Sequence, residues 1–262
     1  MDATTERPSP AELIDLSGAV VAVTGAGGGL GSGIARRFAA AGARVVLHYR
    51  SSVDAIAALV AQLDVPVAVV HADLTEPAGA HRVVEAAADQ FGRLDVLVNN
   101  AGIQPVTAFE EMTAQQWREM IDTDLTAVHL ATQAAARHMT SRGGGGSIIH
   151  IASIEGVNPA GGHGHYATAK AGVIMHARAA ALELGRHRIR VNTVSPGLIH
   201  RPGIETDWPD GVERWRAAAP LTRLGTADDI GDACVFLASP LADWITGANL
   251  VVDGGMTARP TW

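Results

Sequence analysis

The sequence predicts one α/β domain, a doubly wound, mostly parallel sheet of seven strands with helices on both faces. Three observations predict it. Short β-branched runs alternate with longer alanine-rich stretches over most of the 262 residues, and a glycine-rich turn follows the first run at once. The chain is 47% hydrophobic and holds 29 glycines but only 4% aromatics, so its core is built from Ala, Val, Leu and Ile with many close backbone approaches.

The first strand is AVVAVT, residues 19–24, with no polar residue before its end, which is the pattern of a strand buried on both faces. A helix over 30–41 follows the glycine turn, then RVVLHY (44–49), a helix over 53–63, PVAVVH (66–71), a helix over 78–91 and LDVLVN (94–99). A long helix is expected over 114–139, and the glycines at 143–146 read as a surface turn before SIIHIA (147–152). A helix over 166–185, IRVNTV (189–194), a helix over 227–237 and NLVVD (249–253) complete the order. Right-handed crossovers then generate the open sheet. Residues 1–17 read as a polar N-terminal extension and 18–262 as the single domain, with a substrate loop over 201–220.

The formal charge of −7, without a basic stripe, argues against nucleic acid as a partner. No apolar run is long enough to span a bilayer, and the first residues lack the basic start and apolar core of a signal peptide, so no membrane partner and a cytoplasmic location are expected. The single cysteine, Cys234, lies in an apolar run and reads as a core residue, in keeping with a reducing compartment.

The turn Thr24-Gly25-Ala26-Gly27-Gly28-Gly29-Leu30-Gly31 joins a strand to a helix. Glycines there present backbone N–H groups at a helix N-terminus with no Cβ in the way, which is what a dinucleotide pyrophosphate requires. The spacing TGxxxGxG, through Gly25, Gly29 and Gly31, resembles that of the short-chain dehydrogenase/reductase superfamily. Further matches run in order from about residue 17 to 255: Asp73, Asn99-Asn100-Ala101-Gly102, Ser153, Tyr166, Lys170 and Pro196-Gly197. The resemblance implies a Rossmann fold and a nicotinamide cofactor held by Gly25, Gly29, Leu30, Gly31, Arg50, Ser51, Asp73, Leu74, Asn99, Ala101, Gly102, Tyr166, Lys170, Pro196, Gly197 and Ile199. It also implies a homotetramer, for which the apolar stretch 245–252 resembles the assembly segment.

At the end of the second strand, where an acidic residue would select NAD(H), Tyr49 stands before Arg50, Ser51 and Ser52. A guanidinium and two hydroxyls suit a 2′-phosphate, so NADP(H) is favoured. NAD(H) stays open, because Gly28 stands where many NADP-preferring relatives carry a base.

Tyr166 and Lys170, four apart in a helical stretch, share one face. The ammonium favours the phenolate of a tyrosine whose ordinary pKa is about 10, tuning it as general acid/base. By resemblance Lys170 also bonds the nicotinamide ribose, and Ser153 bonds the substrate oxygen. The expected reaction interconverts a small carbonyl compound and a secondary alcohol. A ketoacyl thioester reductase and a sugar or polyol dehydrogenase both fit, and a catalytically weak dinucleotide-binding redox sensor or interaction protein is the alternative.

Two positions depart from the family pattern. Asp124 stands where the fourth catalytic member is Asn, and its charge beside Lys170 would partly cancel the field acting on Tyr166. Arg201 stands where a Thr commonly contacts the carboxamide, leaving three environments open for it: the pyrophosphate, a substrate anion, or solvent. Trp208 and Trp215 read either as part of a substrate lid or as the packed face of a short helix. His163 and His165 without further ligands are a weak metal signal, and no metal is expected.

Overall fold

The structure, a computed structural model, describes residues 8–258; residues 1–7 and 259–262, which include parts of the expected extension and domain, lie outside it. Seven strands form one sheet: β1 (Val20–Val23), β2 (Arg44–Tyr49), β3 (Val67–His71), β4 (Val96–Asn99), β5 (Gly146–Ile151), β6 (Ile189–Pro196) and β7 (Asn249–Val252). Their order is β3-β2-β1-β4-β5-β6-β7, and every neighbouring pair is parallel. The direction of strand addition reverses between β1 and β4, which opens a crevice at their carboxyl ends.

The helices are α1 (Pro10–Leu13), α2 (Gly29–Ala40), α3 (Val53–Val60), α4 (Pro77–Phe91), α5 (Ala114–Ile121), α6 (Ala127–Arg142), α7 (Gly164–Leu184), α8 (Ile204–Asp207), α9 (Pro209–Ala218) and α10 (Ala227–Ala238). The unbroken apolar run of β1 is explained by its two faces. Val21 and Val23 pack with Ile34 and Phe38 of α2 and Ile230 of α10, whereas Val20 and Ala22 pack with Val83 of α4 and Ala131 of α6. Burying one such side chain is worth roughly 1.5–3 kcal/mol, so β1 anchors both layers. Cys234 is a buried core residue of α10, and burial pushes its thiol pKa up.

The structure corrects several expectations. The helix expected over 114–139 is broken between α5 and α6 by a π-helical turn, Asp122–Thr126, and Asp124 within that turn is completely buried. Within the segment read as a polar extension, Leu16 belongs to the core, and its N–H donates to Ala41 O at 2.8 Å. Of the glycines read as a surface turn, Gly143 caps α6 in the left-handed conformation and Gly146 already opens β5. The segment 201–220 is mostly helical, as α8 and α9.

Candidate active site

At the crevice, β1 runs into the glycine turn and α2. Gly25 adopts φ 65°, a left-handed conformation that glycine takes without strain. The turn is tied down by groups that the motif alone does not single out. Thr24 Oγ1 accepts from Asn100 N at 2.9 Å and Ala101 N at 3.0 Å, and Asn100 Nδ2 donates to Thr24 O at 2.9 Å. Gly25 N donates to His48 Nδ1 at 3.1 Å, which leaves His48 Nε2 to donate to Ala72 O at 3.1 Å; burial pushes the pKa of His48 down, in keeping with this neutral form.

No side chain caps the N-terminus of α2. Its first-turn positions Gly29, Leu30 and Gly31 therefore face the crevice end with backbone N–H groups available to an anion. A Cβ at Gly31 would stand 2.3 Å from Gly25 O and 2.6 Å from Asn100 Nδ2, whereas one at Gly29 would meet open space. These features fit a dinucleotide phosphate: a cradle that is closed behind the turn and open in front of it. Arg50, Asp73 and Thr75 line an adjoining cleft of about 470 Å³ together with Arg118 and Asp122. Ser51 is exposed beside Arg50. Asp73 Oδ1 accepts from Thr75 N and Oγ1, bonds that hold its carboxyl below the usual range.

Two expected cofactor residues direct their side chains elsewhere. Asn99 turns its side chain away from the crevice to Thr132 Oγ1 and His150 Nδ1, each at 3.1 Å, because alternation along β4 sends successive side chains to opposite faces. Leu74 is a core side chain, which leaves only its backbone for a ligand. Ala101 and Gly102 continue past β4, and Gly102 has no room for a Cβ, which would stand 2.7 Å from Asp124 Oδ2. Pro196 ends β6; a Cβ on Gly197 would stand 2.8 Å from Trp215 Cζ2, and Ile199 bridges to Gly225.

The four residues expected to be catalytic are brought together. Ser153 follows β5, Tyr166 and Lys170 share α7, and Asp124 comes from the π turn; all four are buried. Lys170 Nζ donates to Ile151 O at 3.1 Å and lies 3.1 Å from Asp124 Oδ2 and 5.5 Å from the Tyr166 ring centre. The Lys170–Asp124 contact is an ion pair without hydrogen-bond alignment, and Asp124 Oδ1 accepts from Ile103 N at 2.8 Å. Burial raises the Tyr166 pKa, the Lys170 ammonium and the Ser153 hydroxyl oppose that, and the carboxylates of Asp124 and Glu155 add to it. The Ser153 hydroxyl itself accepts from Glu155 N at 3.1 Å. His163 pairs with Glu155 at 2.8 Å and lies edge-on to the Tyr166 ring. His165 is buried beneath the start of α7. Arg201 is not drawn in: it is half-exposed and paired with Asp207 at 2.7 Å. Of the two tryptophans, Trp215 packs with Ile204, Val212 and Leu224 in a small cluster of its own, while Trp208 is half-exposed beneath Arg214.

A family model described as enoyl-(acyl carrier protein) reductase matches residues 25–257. L-rhamnose 1-dehydrogenase (NAD(P)(+)) of Azotobacter vinelandii is 38% identical over 90% of this chain and 95% of its own. 3beta-hydroxysteroid dehydrogenase 1 of Eggerthella lenta is 35% identical over 94% and 96%. The crystal structure of a short-chain type dehydrogenase/reductase from Mycobacterium marinum superposes with a TM-score of 0.90 at 36% identity, covering 96% of this chain and 100% of that one. The chain is a short-chain dehydrogenase/reductase.

The dehydrogenase is thus an oxidoreductase using a nicotinamide dinucleotide and a small-molecule substrate. No helix among the described residues is long and apolar enough to cross a membrane. Thr24, His48 and Asn100, which hold the phosphate turn, escaped the site prediction. Asn100 had a signal in the repeated Asn at a strand end, but His48 had none, because its partner is a backbone N–H that only the fold brings near.

Proposed function

We propose that the enzyme interconverts a carbonyl and a secondary alcohol on a small polyhydroxylated substrate, with NADP(H) favoured over NAD(H). The observation that carries this reading is the buried group of Ser153, Tyr166 and Lys170 beside an uncapped, glycine-lined helix N-terminus. When bound, the nicotinamide supplies or accepts the hydride at the substrate carbon. In the reduction direction Tyr166 gives its phenolic proton to the substrate oxygen, and in oxidation it takes that proton back. Ser153 bonds the same oxygen and stabilises the charge developing there. Lys170 stabilises the phenolate, and Asp124 orients Lys170 while weakening its field. The N–H groups of Gly29, Leu30 and Gly31 hold the pyrophosphate.

Arg50 makes no ion pair among the described residues although Asp73 shares its cleft, which suits a cation awaiting a 2′-phosphate. A sugar or polyol is favoured over a ketoacyl thioester because L-rhamnose 1-dehydrogenase is among the relatives. A homotetramer assembled through residues 245–252 and a cytoplasmic location complete the reading; Trp244 and Val251 are exposed apolar residues at that stretch.

Titration with NADPH and NADH, followed by turnover on a panel of sugars, simple ketones and ketoacyl thioesters, tests the reading. Tighter NADPH binding with turnover on sugars is expected. Arg50→Asp should weaken NADPH by about tenfold, about 1.4 kcal/mol, and spare NADH. An unchanged preference would reject Arg50, and binding without turnover on any substrate would reject the catalytic assignment.

A further inference from the structure

Away from the crevice, three imidazoles form a continuous file. His150 Nε2 lies 3.1 Å from His176 Nδ1, and His176 Nε2 lies 3.2 Å from His129 Nδ1. The inner end meets Asn99 Nδ2, 3.1 Å from His150 Nδ1. We propose that His150, His176 and His129 are positioning residues: a neutral file of fixed hydrogen-bond direction that ties together the elements carrying the catalytic groups and comes apart on protonation, setting an acid limit on turnover. The proposal rests on the catalytic roles given above to Tyr166 and Lys170.

The direction of the file follows from its inner end. Thr132 Oγ1 donates to Val128 O at 2.6 Å, so towards Asn99 it can only accept. Asn99 must therefore present its amide nitrogen, which donates to Thr132 Oγ1 and to His150 Nδ1, each at 3.1 Å. With Nδ1 accepting, His150 carries its proton on Nε2 and donates to His176 Nδ1. His176 then donates from Nε2 to His129 Nδ1. One threonine thus dictates the tautomer of three rings.

Each ring belongs to a different catalytic element. His150 precedes Ser153 on β5, His176 shares α7 with Tyr166 and Lys170, and His129 lies on α6, just past the turn that carries Asp124. The file is not a proton conduit to the active site. Its inner nitrogen faces a donor, and Lys170 Nζ contacts Ile151 O and Asp124 rather than any ring of the file.

A proton added to His176 would set its Nδ1–H against His150 Nε2–H. No tautomer change relieves the clash, because Asn99 and Thr132 hold the far end. Burial pushes the pKa of His150 down to about 3, with His176 and Lys170 adding to the effect. Burial also lowers that of His176, with His129 contributing. Of the carboxylates near the start of α7, Asp124 is committed to Lys170 and Glu155 to His163. Unfolded histidine titrates near 6.5, so the file's contribution to stability is whole above that pH and is lost as pH falls from there towards 3.

The test uses His176→Gln in the full-length enzyme, since a glutamine offers one acceptor and one donor in place of the ring but does not titrate. Rates are read in carbonyl reduction, where protonated Tyr166 is the active form and so does not itself cause an acid limb. His176→Leu is expected to lower kcat by about tenfold or more at every pH, as for catalytic groups misplaced by a fraction of an ångström, with KM changed less. His176→Gln is expected to restore kcat to within about twofold in mildly alkaline buffer and to carry the acid limb to lower pH. A glutamine variant that keeps the wild-type acid limb overturns the proposal.

Nitrogen-15 spectra of the histidines decide the matter without turnover. His150 should be a neutral Nε2–H tautomer at about pH 5, well above its depressed pKa, and His176 the same tautomer wherever it is neutral; a charged or Nδ1–H His150 there overturns the file even if the leucine variant fails to fold. Correct tautomers in an enzyme inactive on every carbonyl would instead count against the catalytic reading.

Discussion

The two sides of the crevice are built from different materials. Along β1 and α2 the contacts offered to a ligand are backbone N–H groups around glycines, and the determining fact is where a Cβ has room. Along α7 and the π turn they are buried ionisable side chains, Lys170, Tyr166 and Asp124, whose strength depends on one another's protonation. A backbone cradle is indifferent to pH and intolerant of added atoms. A side-chain cluster tolerates small changes of shape but responds to every change of charge.

Substitutions can break that contrast, and the largest effect belongs to the side-chain half. Tyr166→Phe should lower kcat by about 10²–10⁴ while cofactor affinity changes by less than about tenfold, since the ring stays and only the proton donor goes; stopped-flow turnover with a binding titration reads both, and retained turnover would remove Tyr166 from its role. Gly31→Ala comes next. Its Cβ would stand 2.3 Å from Gly25 O, an overlap costing about 1–3 kcal/mol, so cofactor Kd should rise by about tenfold to a hundredfold equally at every pH. A pH-dependent loss would mean that the cradle is not the neutral element described here.

Asp124→Asn removes one of the charges that raise the Tyr166 pKa, so the pH-rate curve for alcohol oxidation should move to lower pH, since the phenolate is the active form in that direction. A curve that stays in place would show that geometry alone matters at Asp124. The smallest effect sharpens the contrast from the other side: Gly29→Ala places a methyl in open space two residues before Gly31, so the fold itself should tolerate it, with stability by denaturant unfolding changing by less than about 0.5 kcal/mol.

The backbone half was also the more legible in the sequence. TGxxxGxG between a strand and a helix has few other uses, and the apolar runs gave all seven strands because a parallel sheet buries both faces of each one. Ser153, Tyr166 and Lys170 were singled out by the family resemblance, and the four-residue step from Tyr166 to Lys170 put that pair on one helix face. What stayed hidden depends on contacts between distant segments. The inward turn of Asn99 needed the parity of β4, and the file from His150 to His129 joins residues that singly look like ordinary core or surface histidines. The ion pair between Arg201 and Asp207 needed the helical course of 204–218, which a segment rich in Trp and Pro does not announce.

The break between α5 and α6 was hidden for another reason: residues 114–142 all suit a helix, and propensity cannot distinguish a helix from a helix with one residue too many. That surplus residue sets the phase of everything after it. Met120 before the π turn, Asp124 within it and Ala127 after it are all buried, and Asp124 reaches Lys170. Removing a single residue from 122–126 would leave an unbroken helix of ordinary quality whose later side chains are rotated by about 100°. The site is therefore more exposed to a change of length here than to most changes of letter, and this stretch of the chain can drift in composition far more freely than it can shorten.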